Sequence, residues 1–402
     1  MTTLYPPKKL VFKVTWPFMN ERRVIHRFLP KGSQSARDAP AGQMMQTVSY
    51  ELTNLFYLIP LFAIGIAFLL IVLKKRREMR HMLHPLDREE ERESLANPVA
   101  ITAALFGGLF YAAFNPAFQP ILPYPLDVIT LVWYGAFLAF FIWLCLRERK
   151  RYTGPPFEVK EESDLSLKYE AIRKATHVVI VLVIVCYIAF GHIFFQLVNW
   201  LLGIFPWFGV SGYDLQTMIF AGQYTVVFLT VIAFLGLATS EIVRVFFYPS
   251  YPLKMVKAIF RRKETGAALG SHISLAVGSL FVVLVFGWKY PGIAMASIAI
   301  SAIADGAAGI IGRRFGKHRY STVFSRKRKT LEGLLTATIV SIVLSLSLLI
   351  YQFGPASFVM AFVATLVLDG IDLLSIQISD NLLNPIATST VLVLVAHVLL
   401  AA

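Results

Sequence analysis

A chain of 402 residues that is 56% hydrophobic and only 15% charged is no soluble globular protein, in which about a quarter of residues carry charge. A formal net charge of +14 can signal nucleic acid, but here the Lys and Arg stand in loops between apolar runs. That distribution matches the positive-inside bias of membrane proteins and attraction to anionic headgroups, and no nucleic-acid partner is expected.

Residues 1–48 mix basic, aromatic and turn residues and read as a basic peripheral tail, with a short interfacial helix over 11–28. The start lacks the compact apolar core and cleavage site of a secretory signal, so insertion is expected through an uncleaved helix. The first span covers 50–73, followed by a charged, helical connector beginning K-K-R-R. Spans at 99–118 and 126–146 flank a Pro-rich turn without Lys or Arg, and a charged loop follows over 147–168. The apolar run 172–205 exceeds the roughly twenty residues a crossing needs, so it is tilted, broken or partly interfacial. After a span at 217–239, residues 241–270 alternate aromatic, proline and basic residues, as a segment on the membrane surface does. Further spans cover 271–288, 292–312, 331–351, 356–374 and 385–402. The expectation is an all-α, polytopic membrane helical bundle of about ten transmembrane helices. Its parts are the tail (1–48), three N-terminal spans with charged loops (49–170) and a catalytic membrane domain (171–402). Cys145 and Cys186 fall in apolar runs, so neither a disulfide framework nor a cysteine zinc site is expected.

Basic residues crowd 74–92, 147–174, 244–263 and 313–329. The turns near 118, 209 and 352 have none, and the one near 288 has only Lys289. This alternation puts the basic loops in the cytoplasm of a multi-pass protein of the cell membrane or endoplasmic reticulum. It also puts the basic tail outside, unless the first span is not a simple crossing.

The polar groups gather on the same side. Asp305, an acid inside an apolar run, is costly there and points to function. With Ala308, Gly309, Gly312 and Gly316 it lies on one helical face. Small residues at such spacings also serve close helix packing without any ligand. The face runs into Arg313, Arg314, Lys317, His318 and Arg319. Cations there suit phosphate, glycine permits close approach, and a carboxylate can hold a divalent metal. Lys329, Thr330, Glu332 and Gly333 open the next helix, with Thr330 as its N-cap and Glu332 in its first turn. Arg173 and His177 lie at i and i+4. Glu241 and Arg244, at i and i+3, can be an intrahelical ion pair. Glu264, Gly266, Gly270 and His272 form another polar entry. Asp369 and Asp372 must face the protein interior, where Mg²⁺ or another cation offsets them. Asp380 and Asn381 begin a loop of oxygen-bearing residues before the last helix.

At these residues the chain resembles the polyprenol kinase family of membrane lipid-alcohol kinases, which includes dolichol, phytol and CTP-dependent diacylglycerol kinases. The family pattern is Asp-x-x-Ala-x-x-x-Gly-x-x-x-Gly, a basic loop, then Lys-(Ser/Thr)-x-Glu-Gly. Here it falls on Asp305, Ala308, Gly312, Gly316, Lys329, Thr330, Glu332 and Gly333. Weaker matches are Arg173 with His177, Glu241 with Arg244, and Asp380 to Pro385, so the resemblance covers about 170–395. The basic loop is longer than usual. Ser379-Asp380-Asn381 stands where many relatives pair two acids, so one carboxylate is missing or comes from Asp369 or Asp372.

The resemblance implies transfer of the γ-phosphoryl of CTP to a lipid alcohol of the polyprenol or dolichol type. Arg313, Arg314, Lys317 and Lys329 would cradle phosphates, while Asp305, Glu332 and Asp380 organise a divalent cation or polarise the hydroxyl. Asp369 and Asp372 are further metal candidates, and His177 is a candidate base. CDP-lipid cytidylyltransferases share a stretch like 312–318, but their C-terminal Lys-Asp and His-Gly-Gly motifs are replaced here by Asp380-Asn381-Leu382-Leu383-Asn384-Pro385. That favours the kinase. A transporter using the acids as a cation path is a third class.

Overall fold

In the computed structural model the described residues are 41–80, 85–114, 122, 126–151, 215–252, 269–322, 328–374 and 378–401. The chain divides into two compact units, Met1–Glu51 and Leu52–Ala402. The second is an all-α polytopic membrane helical bundle. Its helices are α1 (Ala41–Arg80, of which this unit holds the part from Leu52 on), α2 (Pro85–Phe114), α3 (Leu126–Arg151), α4 (Leu215–Phe246) and α5 (Ser271–Val285). Then come α6 (Pro291–Ala299), a π-helical turn (Ile300–Ala304) and α7 (Asp305–Phe315), which together form one rod. A two-stranded antiparallel hairpin, β1 (Arg319–Ser321) and β2 (Arg328–Thr330), leads into α8 (Leu331–Phe353), α9 (Ser357–Leu374) and α10 (Asp380–Ala401).

Among the described residues eight helices are long and apolar enough to cross a membrane, and α5 is a shorter apolar helix of 15 residues. At 1.5 Å per residue α5 reaches roughly 22 Å, short of the ~30 Å of hydrocarbon. It is the central element of the first half. Almost every residue from Ile273 to Leu284 is buried, the all-round apolar pattern of an enclosed helix. Around it α1, α2 and α4 contribute Phe68, Ile101, Leu105, Val231 and Phe234 to one apolar core. A second core joins the α6–α7 rod to α8, α9 and α10 through Ile293, Ile300, Leu349, Met360 and Leu392. The expected spans at 172–205, the surface segment's residues 253–268 and most of the tail lie outside the described residues.

Two elements differ from the sequence reading. The last helix starts at Asp380, not Pro385, and carries the proline within it. Pro385 has no N–H, so the Asn381 carbonyl one turn back has no helical donor. Gly278 of α5 packs there: a methyl at Gly278 would lie 2.8 Å from Pro385 Cγ and 3.2 Å from that carbonyl oxygen. The rod containing Asp305 is not uniformly α-helical either. Its π-helical turn ends one residue before Asp305, and such bulges are frequent at functional sites.

The hydrogen bonds between helices fix the two ends of the bundle. At one end the Lys74 ammonium donates to Val245 O at 2.9 Å, Glu241 reaches Gly270 N, and Lys329 reaches Asp372. At the other, Gln223 reaches Trp288 O, Gly292 N donates to Gln352, and Tyr290 meets His397. The acids and the basic hairpin therefore share an end.

Candidate functional site

Lys329, on β2, is the centre of this end. Its ammonium binds both the carboxylate and the main-chain oxygen of Asp372 on α9, and stands 3.7 Å from Asp380 Oδ2 on α10. Burial alone would make the ammonium easier to deprotonate. The Asp380 and Asp372 carboxylates, with Asp305 adding to the field, outweigh that and hold its pKa above the ordinary lysine value. One cation from the hairpin is thus gripped by acids from two helices, with a third acid close by.

Two polar atoms beside it lack partners. Asp369 Oδ2 accepts from Thr338 at 2.9 Å, while its Oδ1 is buried without a hydrogen bond. Tyr320 pairs with Lys329 across the hairpin. Its hydroxyl is buried next to Asp372 without meeting the geometry of a hydrogen bond; burial, and then the Asp372 charge, push its pKa up. Among the described residues no three His, Cys, Asp or Glu side chains converge closely enough to hold a metal by themselves. A divalent cation that arrives with a nucleotide needs only one or two protein carboxylates, and the open Asp369 Oδ1 fits that demand.

Gly312, Gly316 and Gly333 are closely packed. A methyl at Gly312 would sit 2.6 Å from Thr330 Oγ1, and one at Gly333 would sit 3.0 Å from Ala308 O. Gly312 and Ala308 on α7 thus let the backbone of α8 approach directly, and Gly316 is pressed against Thr330 in the same way. Thr330 caps α8 in extended conformation, accepting from Gly333 N at 3.3 Å. Glu332 turns back to the loop after α7, accepting from Lys317 N at 3.0 Å and His318 N at 3.2 Å, with His318 Nδ1 at 2.9 Å. Its carboxylate therefore occupies both of these main-chain amides. Arg313 and Arg314, in the last turn of α7, and Lys317, in the loop after it, are exposed.

A second cluster braces the neighbouring helices. Glu241, 1% exposed, takes both arms of Arg244 at 2.8 Å and the Gly270 amide at 2.6 Å, with His272 Nε2 at 3.8 Å. Gly270 packs closely there: a methyl on it would fall 2.5 Å from the His272 ring, which would have to move. Asn381 donates to Ser271 O at 3.3 Å and ties the start of α10 to that of α5. Arg173 and His177 lie outside the described residues.

Over 121 residues the chain is 32% identical to a phytol kinase of Synechocystis, a match covering 30% of this chain and 49% of that protein. The chain spans about half the length of this relative. No family model matches the chain, and neither does any solved structure. The chain is thus similar to a lipid-alcohol kinase over part of its length.

Two residues of this end escaped the sequence reading. Tyr320 sits in a charged loop where strands of three residues leave no periodic signal. Asn97 comes from α2, far from every motif; its one signal is a polar residue with Pro98 at the entry of an apolar run.

Proposed function

We propose that the protein is a membrane lipid-alcohol kinase. It moves the γ-phosphoryl of a nucleotide, CTP by the resemblance, onto the hydroxyl of a polyprenol- or dolichol-type lipid. The observation that carries this reading is Lys329, gripped by Asp372 and Asp380 beside an exposed basic loop. The similarity to a phytol kinase supports a lipid alcohol as acceptor, and phytol and diacylglycerol stay as alternatives to the polyprenol type.

Phosphoryl transfer asks mainly for positioning and charge neutralisation. Arg313, Arg314 and Lys317 meet the nucleotide phosphates, and Lys329 turns its ammonium from the carboxylates to the γ-phosphate. A carboxylate released in this way, Asp372 or Asp380, takes the proton of the lipid hydroxyl. The hydroxyl oxygen bonds to phosphorus, the bond from phosphorus to the bridging oxygen breaks, and the nucleoside diphosphate leaves. Asp369, with Asp305 near Lys329, would hold a divalent cation such as Mg²⁺, which would supply further neutralisation of the phosphates. The lipid enters between helices, its chain in hydrocarbon and its hydroxyl at the membrane boundary.

The test crosses CTP and ATP with phytol, a polyprenol, dolichol and diacylglycerol, using purified protein. Label from the γ position is expected in the lipid. Label from the α position would instead identify a cytidylyltransferase, and nucleotide-independent transport would point to the third class; either result overturns the kinase.

A further inference from the structure

Asp380 is useful only if the first turn of α10 is held still, and beside the Asn381–Ser271 bond one residue that holds it comes from the other half of the chain. The Asn97 side-chain carbonyl on α2 accepts from Ser379 N at 3.1 Å, immediately before Asp380. Its amide reaches Ser274 Oγ on α5 at 3.5 Å. Ser379 is where the helix begins, its carbonyl accepting from Leu382 N and Leu383 N. The first amides of a helix have no partner within it, so an acceptor from another helix fixes both the position and the orientation of that end.

Packing does not need this contact. α2 already lies on α5 through Gly108 against Phe281, and its buried Ile101, Leu105 and Leu109 belong to the apolar core that α5 shares. A polar side chain at the bundle's end, bonded to two further helices, is surplus to that apolar interface. What it adds is register: α2, α5 and α10 are locked together at the turn whose next residue faces Lys329.

We propose that Asn97 is a positioning residue, clamping the N-terminus of α10 so that Asp380 stays in reach of Lys329. The role in turnover rests on the kinase reading, whereas the clamp itself does not. Hydrogen exchange on the full-length protein in nanodiscs, without substrate, reads the clamp. Asn97→Ala should speed exchange at residues 379–383 at least tenfold and leave 331–337 unchanged, while Asn97→Asp, which keeps the acceptor, should preserve protection. Kinetics read the consequence. Asn97→Ala should lower kcat about tenfold with little change in nucleotide KM, but less than twofold when added to Asp380→Asn. Should Asn97→Ala fail to fold, Asn97→Gln keeps the amide, displaces it by one methylene and is expected to loosen the same residues. Unchanged exchange at 379–383 overturns the clamp. An equal loss of kcat with and without Asp380→Asn overturns the positioning role, since a general structural defect would add to any background. A wild-type protein without phosphoryl transfer sinks the kinase reading and leaves the exchange result to decide the clamp.

Discussion

At the scale of single residues, the site is a problem in charge balance solved by Lys329. The Lys329 ammonium pairs with Asp372 and stands 3.7 Å from Asp380, one cation beside two carboxylates. Replacing Lys329 with Met leaves two partly buried carboxylates without their cation, a change worth about 1–3 kcal/mol once solvent access is allowed for. Thermal unfolding should fall accordingly, and on the proposed kinase reading turnover should drop at least a hundredfold, because the γ-phosphate would lose its cation as well. The pH dependence has a definite sign. The folded pKa of Lys329 is raised, so its stabilisation is complete below the ordinary lysine value of about 10.4 and is lost only as pH climbs through the raised one. The difference in melting temperature between wild type and Lys329→Met should therefore stay constant from pH 7 to 10. A difference that shrinks over that range would show that the ammonium is not held as described. Glu241 balances charge in a different way. It is sealed by Arg244 and the Gly270 amide, with no open oxygen facing the Lys329 group, and its part is to brace α4 against α5.

At the scale of elements, the crossing of α7 and α8 decides what the glycines are for. Gly312→Ala drives a methyl against the Thr330 hydroxyl that caps α8, so it must displace either the cap or the crossing. Losing the cap costs about 1 kcal/mol, and forcing the helices apart adds about 1–3 kcal/mol. Gly306→Ala, one residue past Asp305, meets nothing within 4 Å and should leave the melting temperature unchanged or slightly raised. Comparing the two variants by thermal unfolding separates packing glycines from spare ones; equal effects would remove the argument. The small-residue face at 308–316 was visible in the sequence because helical spacing is a strong pattern, and it allowed both close packing and phosphate approach. The crossing supplies the packing. The hairpin was not visible, because three-residue strands inside a run of cations carry no hydropathy alternation. Nor was the π-helical turn, since a single inserted residue leaves an apolar run equally apolar. The start of α10 was placed at Pro385 because proline usually marks a helix entrance, whereas here Gly278 gives room for the proline inside the helix.

At the scale of the whole molecule, hydropathy made the bundle legible, and the described spans agree with the expected ones to within a few residues at most ends. Side-chain chemistry then sorted the ends. Acids and cations from α4, α5, α7, the hairpin, α9 and α10 meet at one of them, as the alternation of basic loops predicted. The link through Asn97 to α2 was illegible, since a single Asn–Ser379 bond across 282 positions leaves no trace in a single sequence. We propose that this end faces the cytoplasm, on grounds independent of the helices. Lys and Arg are retained where they are synthesised, and a nucleotide is met on that same side. Exposed Ser321 on the hairpin and exposed Lys289 at the opposite end report the two faces. In a background with Cys145 and Cys186 replaced, Ser321→Cys should react with an impermeant maleimide only in inside-out vesicles, and Lys289→Cys only in right-side-out ones. Labelling with the faces exchanged would put the Lys329 cluster away from cytoplasmic nucleotide, and the kinase reading would fall with it.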